Sequence, residues 1–244
     1  MQNNLVKTFA WLFVFSVAMG FMESAVVVYL RKIYYPGGFD FPLAPIDFNI
    51  AITEILREAA TLIMLISAGI IAGRTKTEKF GFFVFCFGIW DIFYYVFLKL
   101  LIGWPVSLLT WDILFLIPTT WVGPVLGPII NSLTMIMLAV LISRFTNSGY
   151  QAKFERMEWL LLVSGSLVII SSYIEDYLQY ILQHYNFGQL FHFSENEKLL
   201  DYAVHYIPVS FSWWLFVLGE AVLFVAIARF YFRNKKARGT KPNV

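Results

Sequence analysis

The chain has 244 residues, 59% of them hydrophobic and 14% charged, and a mean hydropathy of +0.69, more apolar surface than one soluble core of this length can hide. The excess must face lipid. A formal net charge of +2 gives no footing for nucleic acid, and the single Cys86 excludes an internal disulfide and a thiol cluster for zinc or iron–sulfur.

Lys7 precedes an apolar stretch from Phe9 to Met22 that has the look of a signal peptide, but the run resumes from Ala25 to Leu30. Together they make a span at about 8–30, with Glu23 inside it. Further apolar spans fall at about 50–72, 80–102, 124–144, 158–182 and 209–232. Each is close to the roughly 20 residues that a helix needs to cross about 30 Å of hydrocarbon. Runs such as Leu133 to Ile142 are apolar on every face, which fits helices and not the alternating strands of a barrel. The expected fold is therefore an all-α integral membrane protein of about six transmembrane helices, a single polytopic domain over 1–244 with a short basic tail at 233–244.

A seventh apolar stretch, 106–122, is short and punctuated by Pro118, and Gly123, Pro124, Gly127 and Pro128 follow it. Charge placement decides its reading. Arg74, Lys76 and Lys79, then Arg144, Lys153 and Arg156, then the C-terminal tail all become cytoplasmic, as the positive-inside rule requires, only if 106–122 does not cross. The segment is then a re-entrant half-helix or an interfacial element on the outer side. Both termini are expected in the cytoplasm and the protein in the plasma (inner) membrane. Trp11 and Trp159 fall near predicted inner ends and Trp104 and Trp111 near outer ends, as interfacial anchors do. In the outer loop 183–207, Ser194-Glu195-Asn196-Glu197 has capping-box spacing before an amphipathic run, which predicts a short surface helix. The one repeat is Trp-Asp-Ile, at 90–92 and at 111–113.

Eight acidic residues lie in or at the membrane segments: Glu23, Glu54, Glu58, Asp91, Asp112, Glu175, Asp176 and Glu220. A carboxylate at the bilayer centre costs roughly 2.5–3.5 kcal/mol on insertion scales, so such residues usually face the bundle interior and serve an ion, proton or substrate path. All eight map between mid-depth and the outer end, as do Arg57 and Lys99, which points to an outward-facing intramembrane carboxylate site. Glu54, Arg57 and Glu58 share one turn, either as part of that site or as an ion pair locking two helices. Asp91, Tyr95 and Lys99 share a face beside Trp90. Ser171, Glu175, Gln179 and Gln183 form one polar stripe and Ser172, Asp176, Tyr180 and His184 the next, both expected to face inward. Asp112 is either part of the site or a cap on the half-helix.

His184, His192 and His205 all sit in or beside the outer loop, which argues against paired haem ligation and a histidine-rich di-iron centre, and Asp201 with His205 reads as a surface pair. No cofactor is evident, and any intrinsic metal would be an oxygen-ligated divalent cation such as Mg, Ca or Mn. Walker, zinc-protease, serine-hydrolase and Asp-rich prenyl-diphosphate motifs are missing from the sequence. Three readings stay open. The leading one is a small transporter or ion-coupled permease for a small molecule or ion. The second is an intramembrane enzyme on a lipid or isoprenoid, with Trp90, Tyr94 or Tyr95 shaping an apolar pocket. The third is a non-catalytic subunit or assembly factor bound to a membrane-complex partner.

Overall fold

The computed structural model describes residues 2–117, 119–146, 152–186 and 197–239. Six helices are long and apolar enough to cross a membrane: α1 (Gln2–Tyr34), α2 (Phe48–Ala72), α3 (Lys76–Ile102), α4 (Leu126–Thr146), α5 (Arg156–Leu182) and, after the short α6 (Glu197–Val204), α7 (Trp213–Gly239). The protein is an all-α multi-pass membrane protein, and an even number of crossings puts both chain termini at the same end of the bundle.

Local chemistry sets the helix ends. The Asp47 side chain accepts the Asn49 and Ile50 N–H groups at the start of α2. Thr75 with Glu78 and Glu155 with Glu158 form capping boxes at the starts of α3 and α5. Gly103, with φ +70°, ends α3 in the left-handed conformation that glycine adopts without steric cost. Two helices run further than the apolar pattern indicates. α1 reaches Tyr34, and α7 carries helix through Arg233, Lys235 and Lys236 of the expected tail. There Arg233 grips Glu158, which is fully buried, through Nε at 2.9 Å and Nη2 at 2.8 Å.

Helix α3 is the hub, packed against α1, α2 and α4, while α5 and α7 form a second tight pair joined to the rest through α4 and through the segment at 121–124. Close contacts use small residues: a side chain at Gly20 would meet the Trp90 carbonyl, and one at Gly88 the Ser132 carbonyl. Gly81 meets Ile142 and Asp91 meets Ser132, so α3 and α4 are antiparallel, and Leu126 falls level with about Phe97. Helix α4 thus starts roughly a turn and a half short of the end of α3.

The space above α4 is filled by an element that is not helical. Residues expected to form a half-helix or an interfacial element fold as an antiparallel hairpin, β1 (Trp111–Phe115) and β2 (Trp121–Pro124), with Asp112 opposite Gly123 and a bulge between Ile113 and Phe115. Trp, Ile, Phe and Val suit a pleated surface, and the prolines and glycines that bar a helix are tolerated at strand ends and turns. Pro118 itself lies outside the described residues. The pairing is extended by Val125 N–H to the Thr110 carbonyl (3.0 Å) and Leu126 N–H to the Leu108 carbonyl (2.7 Å), which leads the chain straight into α4.

Helix α6 matches the expected surface helix. Leu199 and Ala203 pack with Tyr177, Ile181 and Val122, while Ser194 and its neighbours lie outside the described residues. Trp11 and Trp159 are exposed on the helix surface. Trp104 is not the exposed anchor the sequence suggests: it is buried, with its ring against the guanidinium of Arg31.

Candidate functional site

The carboxyls at depth divide into several hydrogen-bonded groups. In the first, Arg57 on α2 donates to Glu54 through Nε (2.9 Å) and Nη2 (2.8 Å) and to Glu23 on α1 through Nη1, while the Thr61 hydroxyl reaches the other Glu23 oxygen at 3.5 Å. One guanidinium thus ties two helices together, which is the structural alternative for this turn. Glu58 is outside that pair. Its Oε2 accepts the Leu116 N–H at 2.9 Å, giving a partner to a backbone donor at the hairpin tip, where the chain lacks a regular ladder.

A second group seats the hairpin. Arg31, near the end of α1, donates Nη2 to Asp112 Oδ1 at 3.0 Å, and the Tyr95 hydroxyl donates to Asp112 Oδ2 at 3.2 Å. Both partners of the ion pair are buried, 9% and 2% exposed at their side chains. The guanidinium carbon of Arg31 lies 3.6 Å from the Trp104 ring centre and 4.4 Å from that of Phe39, so aromatic faces replace its lost water. Asp112 therefore does not cap a helix. Burial pushes its carboxyl up to about 6, and the facing guanidinium, the phenol and the Ile113 backbone N–H keep it from rising further.

Asp91 and Glu220 have no cation bonded to them among the described residues. Asp91 on α3 accepts the Ser132 hydroxyl at 2.7 Å, and Glu220 on α7 accepts the Thr134 hydroxyl at 2.8 Å. Ser132 and Thr134 are two residues apart on α4 and so point to different sides of it. Tyr173 of α5 is within electrostatic range of both carboxyls and accepts the Asn131 side-chain N–H at 2.8 Å. Trp121 of β2 stacks on Tyr173 at 6.2 Å and an interplanar angle of 11°. Glu220 Oε1, Asn131 Oδ1 and Trp121 Nε1 are buried with no hydrogen-bond partner among the described residues, so this junction holds unused polar capacity at depth.

Several sequence expectations are corrected. Lys99 is exposed and donates Nζ to the Gly103 (3.1 Å) and Pro105 (2.8 Å) carbonyls, fastening the end of α3 instead of facing the acids. Most of the first α5 stripe points outward: Ser171, Gln179 and Gln183 are exposed, whereas Glu175 is half-buried, with one oxygen taking the Gln179 side-chain N–H at 3.1 Å and Oε2 buried with no partner among the described residues. Asp176 holds the chain leading to α7, accepting from the Tyr206 hydroxyl (2.7 Å) and from the Val209 and Ser210 N–H groups. Burial, and then the bonded and charged Asp176 carboxylate, push the Tyr206 phenol up. Trp90 is buried beside Phe87, and the Tyr95 hydroxyl is bonded to Asp112. The two Trp-Asp-Ile copies occupy a helix and a strand and are not structurally equivalent.

Ser132, Thr134, Asn131, Tyr173 and Arg31 escaped the sequence reading. Hydroxyl and amide residues inside an otherwise apolar α4 were the available signal, since a polar side chain in a membrane helix needs a partner. Among the described residues no group of three or more His, Cys, Asp or Glu side chains is placed to hold a metal ion. Fold and site together define a polytopic α-helical membrane protein with a hairpin-capped bundle and two carboxyls bonded only to hydroxyls. No family model, curated protein or solved structure matches the chain.

Proposed function

We propose that the protein is a small proton-coupled carrier in which Asp91 and Glu220 exchange the protons. The observation that carries this reading is the pair of hydroxyl-bonded carboxyls on different sides of α4, with Tyr173 within electrostatic range of both and acceptor atoms of Asn131 and Glu220 left unpartnered. A deep carboxylate without a cation is costly, and proton relays in membranes are built from such groups. Orientation follows from the basic residues: Arg74, Lys76, Lys79, Arg144, Lys153 and Arg156 lie at the end opposite the hairpin, which makes that end cytoplasmic and the hairpin end external. On this reading the hairpin closes the outer end, and Arg31–Asp112 is the tie that holds it there.

The test is proton flux in sealed proteoliposomes carrying an internal pH dye. Asp91→Asn and Glu220→Gln, each isosteric and able to keep its hydroxyl bond, should lower flux at least tenfold while elution profile and thermal unfolding stay as in the parent. Unchanged flux in both variants would sink the assignment.

A second reading, a non-catalytic subunit of a membrane complex, is favoured by Arg57 bridging α1 and α2, because ion pairs at depth also serve simple helix association. Affinity capture from solubilised membranes separates the two. A stoichiometric partner combined with absence of flux selects the subunit.

A further inference from the structure

At the hairpin end, away from the deep carboxyls, a cavity of about 290 Å³ opens to the surface between the α1–α2 connection, the start of β1 and the segment before α7. Its walls are Phe39, Phe41 and Trp111, with Ile207 and Pro208 completing the apolar lining and Asp40 and Thr110 supplying the polar atoms. The aromatic rings are already fixed: Phe39 meets Phe41 edge to face at 5.6 Å, Phe41 meets Tyr206 at 6.1 Å, and Trp111 meets Phe211 at 6.3 Å. Asp40 is exposed, and its Oδ1 also takes the Phe41 N–H at 2.9 Å, which holds the carboxylate beside the rings.

We propose that this cavity binds a small organic cation of the quaternary-ammonium class. Ring faces attract a positive charge through their quadrupole, and a methylated ammonium is weakly hydrated and fits an apolar wall, so rings and carboxylate act on the same ligand. The alternatives fit the lining less well. A divalent metal demands about six oxygens, whereas only Asp40 and Thr110 offer side-chain oxygen, and Thr110 Oγ1 already takes the Ser107 N–H at 3.0 Å. An anion would face Asp40, and Arg31, whose Nη2 is held by Asp112, is not among the residues that line the cavity. A neutral ligand would bury the carboxylate's surroundings and give it no partner. The volume suits a ligand the size of choline and falls below the range typical of drug-sized ligands. The inference does not rest on the carrier reading.

The experiment is titration of the full-length protein in nanodiscs with tetramethylammonium and choline, followed by tryptophan fluorescence and by saturation-transfer NMR of the methyl protons. The control is 3,3-dimethylbutanol, the uncharged isostere of choline. Saturable binding of both cations is expected, with the isostere and the Asp40→Asn variant each weaker by about tenfold, the size of one partly desolvated charge contact. Asp40 is exposed, so its substitution leaves the fold intact, and Phe41→Leu serves as a second variant that should weaken the cations and leave the isostere unmoved. Equal binding of cation and isostere, or no saturable binding of either cation, would overturn the proposal.

Discussion

Asp112 shows how much a single burial decides. It is the one carboxyl of the hairpin, and its surroundings are Arg31 from α1 and Tyr95 from α3, with Tyr94 and Asp91 within electrostatic range. Its carboxyl titrates near 6 in the fold against 3.8 for a free aspartate, so the native state holds this proton more tightly than the unfolded chain does. Stability from this group is therefore fully present below about 3.8 and is lost as pH rises through about 6. Thermal unfolding in detergent between pH 4 and 7 checks the sign. The parent should gain stability on acidification across that window relative to Asp112→Asn, and identical pH profiles would mean that the proton is held elsewhere. Among the other acids, Asp176 has the opposite kind of role: it collects two backbone N–H groups and a phenol to pin the approach to α7.

At the scale of elements, two contacts carry the arrangement. The hairpin tip hangs on Glu58 of α2, because the Leu116 N–H has a carboxylate acceptor and no strand partner. Glu58→Leu should cost about 1–3 kcal/mol, the penalty of an orphaned buried donor, and should speed amide exchange at Leu116, whereas Glu58→Gln keeps an acceptor oxygen and the parent rate. Exchange unaltered in the leucine variant would remove the anchor role. The second contact is between α5 and α7, where Gly165 and Gly219 bring the two backbones together: a Cβ at Gly219 would lie 2.5 Å from Ile169 Cγ1 and 2.9 Å from the Gly165 carbonyl oxygen. Gly219→Ala must push the helices apart and should destabilise by about 1–3 kcal/mol, measured as a lowered unfolding temperature, while the same change at exposed Ala-tolerant positions such as Val217→Ala should not approach that cost.

For the whole molecule, six crossings place the hairpin and the connections before α2 and α7 at one end, and the start of α1, the α2–α3 turn and the end of α7 at the other. The arrangement predicts which cysteines a membrane-impermeant maleimide can reach. In a Cys86→Ala background, Ser107→Cys at the hairpin end should label in intact cells, and Arg74→Cys should label only after permeabilisation; the reverse pattern would invert the proposed orientation. The distribution of charge at depth also matters at this scale. Two guanidiniums, Arg31 and Arg57, are divided among more carboxyls than they can neutralise, which leaves Asp91 and Glu220 to hydroxyls and gives the carrier reading its footing.

Six spans, their approximate bounds, the failure of 106–122 to cross as a helix and the small helix after residue 194 were all legible in the sequence. Each depends on local length, apolarity and punctuation, which are properties of consecutive residues. That acids lie within the apolar spans was legible too, because a carboxyl among twenty apolar residues is conspicuous. Partnership was not. Whether Asp91 meets Lys99 on its own helix or Ser132 on the next, and whether Arg57 serves Glu58 or Glu23, depends on how helices distant in sequence are rotated and staggered against each other. The offset start of α4 opened a space that only a hairpin fills, and that packing decided which carboxyls were given cations and which were left to hydroxyls.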